Sequence, residues 1–243
     1  MKISIREISR MIDHSLLHPA LTDEDLVFGC KLSLDLGVAS VCVKPSGVSL
    51  AAEMLEESSV LLGSVAGFSH GGSTIQIKVR EAEEAIEEGA SEIDVVVNIG
   101  KLLGENWQYV QKEIRELRKL TSDYDAVLSV IFENSYLEHI HIMHLCSICS
   151  EEEVDYVKNS TGCFNAHFKG EKKYYTEEST AALQLMRSYT ASKVRIKAAG
   201  GIYSLDEVLH LREIGISRVC VTDTKKIVAE ARKRNYPEYL QEK

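Results

Sequence analysis

The 243-residue sequence has no apolar run approaching the roughly 20 residues that span a bilayer. Its start, Met1–Arg10, mixes charged and apolar side chains and lacks the unbroken apolar core of a secretory leader. These absences lead us to expect a soluble, cytoplasmic protein with no membrane partner. Positive charge is in short supply, since 28 Lys and Arg face 37 Asp and Glu for a net charge of −9. Such a chain repels nucleic-acid backbones, and no basic stripe overrides the repulsion, so no nucleic-acid partner is expected. An anionic substrate would need a local basic pocket. The six cysteines are not spaced as a small disulfide framework, and a chain of this size needs none, so reduced thiols are expected. No glycine-rich dinucleotide fingerprint follows the early β-rich runs. Nor is there a linker, a low-complexity tract or a repeat beyond the alternation of elements.

Short β-rich runs alternate with charged segments of helical period. The clearest runs are Val38–Lys44, Val60–Gly67, Glu92–Asn98, Ala126–Glu133, Val154–Asn159, Val194–Ala198 and Arg218–Thr222, with Ile12–Leu17 as an eighth candidate. Ser73–Gly89 and Asn106–Leu120 have helical periodicity. Gly37, Gly89 and Gly215 stand where left-handed helix ends are expected. With hydrophobic residues at 44%, the chain can bury a full core. The pattern predicts an α/β fold: a single (β/α)8 TIM barrel over residues 1–243 with a short N-terminal helix. An open doubly wound sheet is the rival, and it lacks its usual fingerprint.

In such a barrel the chemistry sits at the carboxyl ends of the strands. Polar residues there are Asp13, Lys44, Asp94, Asn98, Glu133, Lys158 and Lys197. Lys158 ends VDYVK and Lys197 ends VRIK, and each is followed by a glycine-bearing turn, NSTG and AAGG. A lysine in water keeps its proton up to a pKa of about 10.4. Burial and a second positive charge both oppose protonation, so one lysine could hold the other as a neutral nucleophile toward an aldehyde. Asp94 could move protons through a water. A single strand-end lysine more often reaches solvent. Two with matching turns, beside an aspartate inside an apolar strand, weigh against that reading.

The stretches IDHSLLHP, ASVCVKPSGV, EIDVVVNIG, VIFENSYL, VKNSTG and IKAAGG carry a resemblance to the deoxyribose-phosphate aldolase family, from about Ile12 to Thr224. The resemblance implies a (β/α)8 barrel and a metal-free, cofactor-free class I aldolase, a carbon–carbon lyase. Its reaction splits 2-deoxyribose 5-phosphate into glyceraldehyde 3-phosphate and acetaldehyde. It further implies that Lys158 is the Schiff-base lysine, Lys197 the second lysine and Asp94 the proton-relay carboxylate. Gly162, Gly200, Gly201 and Thr222 are the candidate substrate-binding residues. The partner is then a small aldose or phosphosugar, and the sequence allows a homodimer. Two alternatives stay open: the same mechanism on another, unphosphorylated hydroxyaldehyde, and a non-catalytic barrel acting as a ligand sensor.

The chain departs from the family at the phosphate end. In Arg218–Lys225 (RVCVTDTK), Cys220 stands where the family has a glycine and Asp223 where it has a serine. A carboxylate facing a phosphate is repulsive unless it turns away. Lys169, Lys172 and Lys173 of the loop Cys163–Tyr175, with Lys225 and Lys226, are candidate compensating cations. Within the barrel, Ser129 stands where the family has a lysine and Arg195 where it has a small residue. A charge moved between strands, with Arg195 paired to Glu92, is one reading; Arg195 at the outer lower rim is the other. In His139–Cys149 three histidines and two cysteines lie within eleven residues. On a helix His141 and His144 share one face and Cys146 and Cys149 another, which does not converge as zinc requires, so no metal is expected. The tail Arg232–Lys243 either folds over the mouth, bringing Tyr236 or Tyr239 near the site, or is disordered.

Overall fold

In a computed structural model of the chain, residues 3–163 and 177–239 are described. Eight parallel strands close into a barrel in sequence order: β1 Ile12–Leu16, β2 Ser40–Val43, β3 Leu61–Ala66, β4 Glu92–Val96, β5 Val127–Ile131, β6 Tyr156–Lys158, β7 Arg195–Ala199 and β8 Arg218–Val221. β8 pairs back onto β1 through Asp13 and Cys220. The helices are α1 Ile5–Ser9, α2 Asp23–Leu36, α3 Val48–Leu55, α4 Ile75–Glu87, α5 Ile99–Leu103, α6 Trp107–Asp123, α7 His139–Glu151, α8 Glu177–Tyr189, α9 Leu205–Glu213 and α10 Thr224–Lys233. Every predicted strand is present, most of them shorter than read from sequence. The closed barrel replaces the open-sheet rival. The short helix α5 and the 3-10 turns Pro45–Gly47 and Asn134–Tyr136 had not been anticipated.

Strand alternation sorts side chains to two sides. Outward go Ile93, Val95, Leu128, Val130, Val157, Ile196 and Val219, which share the main core with Val110, Ile114 and Leu117 of α6. Inward therefore go Asp13, Glu92, Asp94, Ser129, Tyr156, Lys158, Lys197 and Arg218. The period that buries an apolar shell thus collects charged residues in the barrel's axis. Helix starts are fixed by side-chain caps: Ser4 with Glu7 on α1, Thr22 with Asp25 on α2 and Ser204 with Glu207 on α9. Gly37 ends α2 in the left-handed region at φ 60°.

Outside β3 and β4, Lys78 of α4 and Glu113 of α6 form a fully buried pair at 2.8 Å. Lys78 also donates to the Val96 carbonyl at 2.6 Å, and Glu113 accepts from the Asn98 N–H at 2.8 Å. The end of the strand carrying Asp94 is therefore tied to two helices. Gly71 (φ +68°) passes so close to the same strand end that a Cβ would lie 2.0 Å from the Val97 carbonyl oxygen. Only glycine fits there.

The chain after α10 runs to α1, beneath the barrel. Ile5 and Arg6 N–H donate to the Pro237 and Glu238 carbonyls, and the Arg6 guanidinium lies 5.4 Å from the Tyr239 ring centre. Tyr236 packs on the main core. The expectation that Tyr236 or Tyr239 reaches the mouth is thus corrected. The three lysines of the 164–176 loop and the last residues, 240–243, lie outside the described residues.

Candidate active site

Six charged side chains meet inside the barrel. From β6, Lys158 Nζ donates to Asp94 Oδ2 at 2.8 Å. The other oxygen of Asp94 accepts from Lys197 Nζ of β7 at 3.2 Å. Lys197 Nζ also donates to Glu92 Oε2 at 3.1 Å and stands 3.2 Å from Asp13 Oδ2. An ammonium has three N–H donors, and three carboxylates surround this one. Below it, Arg218 of β8 donates through Nη1 to Asp13 Oδ1 at 3.0 Å and to Glu92 Oε1 at 2.8 Å. The Ser40 hydroxyl adds a bond to Asp13 at 2.7 Å. Tyr156 floors the cluster, its ring against the cations of Lys197, Arg218 and Arg195. Three cations thus face three carboxylates, all buried except for a partly exposed Arg218.

Burial opposes charge on Lys158, Lys197, Asp94 and Arg218, and their partners reverse it. For Lys158, the Asp94 carboxylate outweighs desolvation and holds the ammonium above the ordinary lysine range. Lys197 is pushed the same way by Asp13, Asp94 and Glu92, against burial. For Asp94, burial works upward, but the two lysines prevail and leave it far below the usual carboxylate range. The expectation that burial and a second lysine together keep Lys158 neutral is therefore corrected. Like-charge repulsion is present, but the Asp94 carboxylate between the two lysines dominates it, and Lys158 and Asp94 stand as an ammonium–carboxylate pair.

Toward the mouth, Glu133 follows β5 in the left-handed region, at φ 56°, with no exposed surface. Its carboxylate accepts from Ser160 Oγ at 2.8 Å and from Thr161 N at 2.7 Å. Asn159 bridges to both backbone groups of Ala199. The turn after Lys158 is thereby locked to its neighbours. Gly162, Gly200 and Gly201 follow, all with positive φ. The Gly162 N–H is taken by Ser160 Oγ at 3.0 Å. Thr222 is exposed at the end of β8. Asp223 caps α10, its Oδ1 accepting from Lys226 N at 3.3 Å. The carboxylate thus already occupies that helix end.

The structure brings Lys158, Lys197 and Asp94 together. Gly162, Gly200, Gly201 and Thr222 all lie at the carboxyl ends of β6, β7 and β8. Lys44 serves the rim, donating to the Leu21 carbonyl at 2.9 Å. Arg195 is exposed and stacks on Tyr156 at 4.0 Å, while Glu92 is held by Lys197 and Arg218. The Arg195–Glu92 pairing is thereby overturned. Arg218 was missed as a site residue, although strand alternation in RVCV places it on the face of Cys220, beside Lys197 in the register. His144 stacks on Trp107 at 4.1 Å, and His141 Nδ1 accepts from the Glu138 N–H. Cys146 and Cys149 are buried. These four residues serve packing and capping.

A family model described as DeoC/LacD family aldolase matches residues 8–214. A deoxyribose-phosphate aldolase from Rhodopirellula baltica is 43% identical over 229 residues, 94% of this chain and 90% of that one. Another from Caldanaerobacter subterraneus is 38% identical, covering 95% of this chain and 96% of that one. The solved tetrameric deoxyribose phosphate aldolase from Aeropyrum pernix superposes with a TM-score of 0.83 at 26% identity, over 95% of this chain and 92% of that one.

Proposed function

The chain belongs to the DeoC/LacD aldolase family, and on that premise we propose that it cleaves 2-deoxyribose 5-phosphate through an imine on Lys158. The observation that carries this reading is the Lys158–Asp94–Lys197 chain at the carboxyl end of the barrel. The nucleophile must first lose a proton, and Asp94 Oδ2 is the acceptor in contact with it. The free amine attacks C1 of the open-chain sugar. Loss of water from the carbinolamine gives an iminium, whose positive charge replaces that of the ammonium. The balance of three charges of each sign therefore survives, and Asp94, preorganised for a cation, stabilises the iminium without reorganising. The iminium draws electrons from the C2–C3 bond as the C3 hydroxyl gives its proton through a water to Asp94. Glyceraldehyde 3-phosphate leaves, and the enamine takes a proton at C2. Hydrolysis frees acetaldehyde and returns Lys158.

Gly162, Gly200, Gly201 and Thr222 are assigned to the phosphate end of the substrate, where the Gly200 and Gly201 N–H groups and the Thr222 hydroxyl can face an anion and Gly162, its own N–H held by Ser160 Oγ, shapes the turn. Asp223 is turned into the N-cap of α10, which lessens its conflict with a phosphate. A phosphosugar does not cross a bilayer unaided, so the reaction belongs in the cytoplasm. Assembly as a homodimer is part of the same reading, and light scattering in solution gives its mass.

The test is borohydride trapping with 2-deoxyribose 5-phosphate, read by intact mass and peptide mapping. An adduct on Lys158, absent from Lys158→Ala, is the expected result. No adduct with the phosphosugar but ready trapping of plain deoxyribose would transfer the assignment to an unphosphorylated hydroxyaldehyde. No adduct with either would remove the aldolase mechanism.

A further inference from the structure

We propose that Arg218 is a positioning residue of this reaction: by holding Glu92 and Asp13, it sets the charge balance that decides how readily Lys158 gives up its proton. The inference rests on the imine mechanism proposed above and extends it to a residue that touches neither the substrate nor Lys158.

Arg218 reaches both carboxylates through one nitrogen, Nη1, at 3.0 Å from Asp13 Oδ1 and 2.8 Å from Glu92 Oε1. Both of those side chains are 2% exposed, so solvent does little to screen them. The same carboxylates contact Lys197 through Asp13 Oδ2 and Glu92 Oε2. Lys197 in turn shares Asp94 with Lys158. Charge therefore alternates along one path: Arg218, then Asp13 with Glu92, then Lys197, then Asp94, then Lys158. Without Arg218, two buried carboxylates would depend on one ammonium, and the interior would carry a net negative charge. That charge would draw Lys197 away from Asp94 and stabilise the proton on Lys158. With Arg218 the interior is neutral, and a neutral amine at Lys158 is more accessible.

The other groups around Lys158 do not supply this function. Cys42 of β2, buried, and Cys220 of β8, half-buried, are thiols held protonated by desolvation. Tyr156 lies two residues below on the same strand, and the exposed Arg195 stacks on its ring. Ser129 of β5 carries no charge, and its buried hydroxyl has no hydrogen-bond partner among the described residues. Among the described residues of the inner face, Arg218 is the remaining cation able to balance Glu92 and Asp13.

The experiment follows the pH dependence of imine formation on Lys158, by rapid quench with borohydride, in the wild type, Arg218→Met, Glu92→Gln and the double variant. Removing the positive charge should move the midpoint of the rise with pH upward by about one unit. Removing the negative charge should move it downward by a similar amount, and the double variant should return near the wild type. Arg218→Lys, which keeps the charge, should recover most of the shift. A merely structural Arg218 would lower the amplitude in every variant and leave the midpoint in place, which would overturn the inference. If Arg218→Met does not fold, Glu92→Gln decides alone: a midpoint unchanged or raised refutes it. If the wild type forms no imine on Lys158, the mechanism fails first and this inference with it. An imine with coincident midpoints defeats the inference alone.

Discussion

Asp94 contacts both lysines, one through each oxygen. An amide in its place keeps the shape but loses the proton acceptor and the charge that stabilises an iminium. We therefore expect Asp94→Asn to slow imine formation about 100-fold or more, the usual scale for a positioned acid–base group. Stopped-flow measurement of imine formation with acetaldehyde would check this, and a rate within about threefold of wild type would dismiss the role. A second consequence concerns pH. Because the Lys158 ammonium is held above the ordinary lysine range, the free amine grows scarcer as pH falls. Imine formation should thus rise with pH across the neutral range rather than plateau below pH 7. At this scale the sequence was informative where a residue sits in a recognisable motif, as Lys158, Lys197 and Asp94 do. It was silent where the decisive fact is which strands meet. The ionisation of Lys158 depends on carboxylates from β1 and β4 and an arginine from β8, neighbours through closure of the barrel rather than along the chain. Arg195 failed as a partner for Glu92 for the same reason: its position in β7 puts it at the lower rim, one layer below the carboxylate.

Among the elements, α4 and α6 hold β4 in place through one buried pair. Lys78 and Glu113 are each displaced toward their neutral forms by desolvation, Lys78 downward and Glu113 upward, with each partner opposing the shift. Such a pair adds little net stability compared with an apolar replacement, but breaking it strands a buried charge. Lys78→Met should cost about 3–5 kcal/mol, and with roughly 2–4 °C per kcal/mol for a chain of this size the melting temperature should drop by about 10 °C. Lys78→Met with Glu113→Leu should recover much of that loss, though not all, because the Asn98 N–H then loses its acceptor. Calorimetry on the three proteins checks it, and a single variant no less stable than the double would contradict the pairing argument. The order of elements was legible because alternating apolar residues and glycine after a helix are local signals. The turns at the mouth were harder to read. Glu133 adopts the left-handed region without being glycine, and nothing in VIFENSYL announces that its carboxylate will clamp the turn after Lys158.

For the whole molecule, the eightfold alternation of strand and helix was enough to anticipate the barrel, and barrel closure then concentrates charge where the period of two points inward. The surface carries the excess of acid, while the six interior groups cancel. These ionisations bound the pH range of stability. His14 of β1 is buried against α10, with Nδ1 2.8 Å from Thr224 Oγ1. Burial lowers its pKa from 6.5 to about 4, with Asp223 opposing. A group whose folded pKa is depressed contributes its stability above the unfolded value and loses it as pH falls toward the folded one. His14 should thus cost the fold about 2 kcal/mol between pH 7 and pH 5. At the alkaline end the sign reverses. Lys158 and Lys197, both raised, contribute fully below about pH 10.4, and that stability goes as pH climbs through their folded values. Urea midpoints taken from pH 4 to pH 11 should form a plateau from about pH 7 to about pH 10. His14→Gln should lower the plateau slightly through the altered bond to Thr224, and it should flatten the decline between pH 7 and pH 5. A variant that declines as steeply as the wild type in that interval would move the acid sensitivity away from His14.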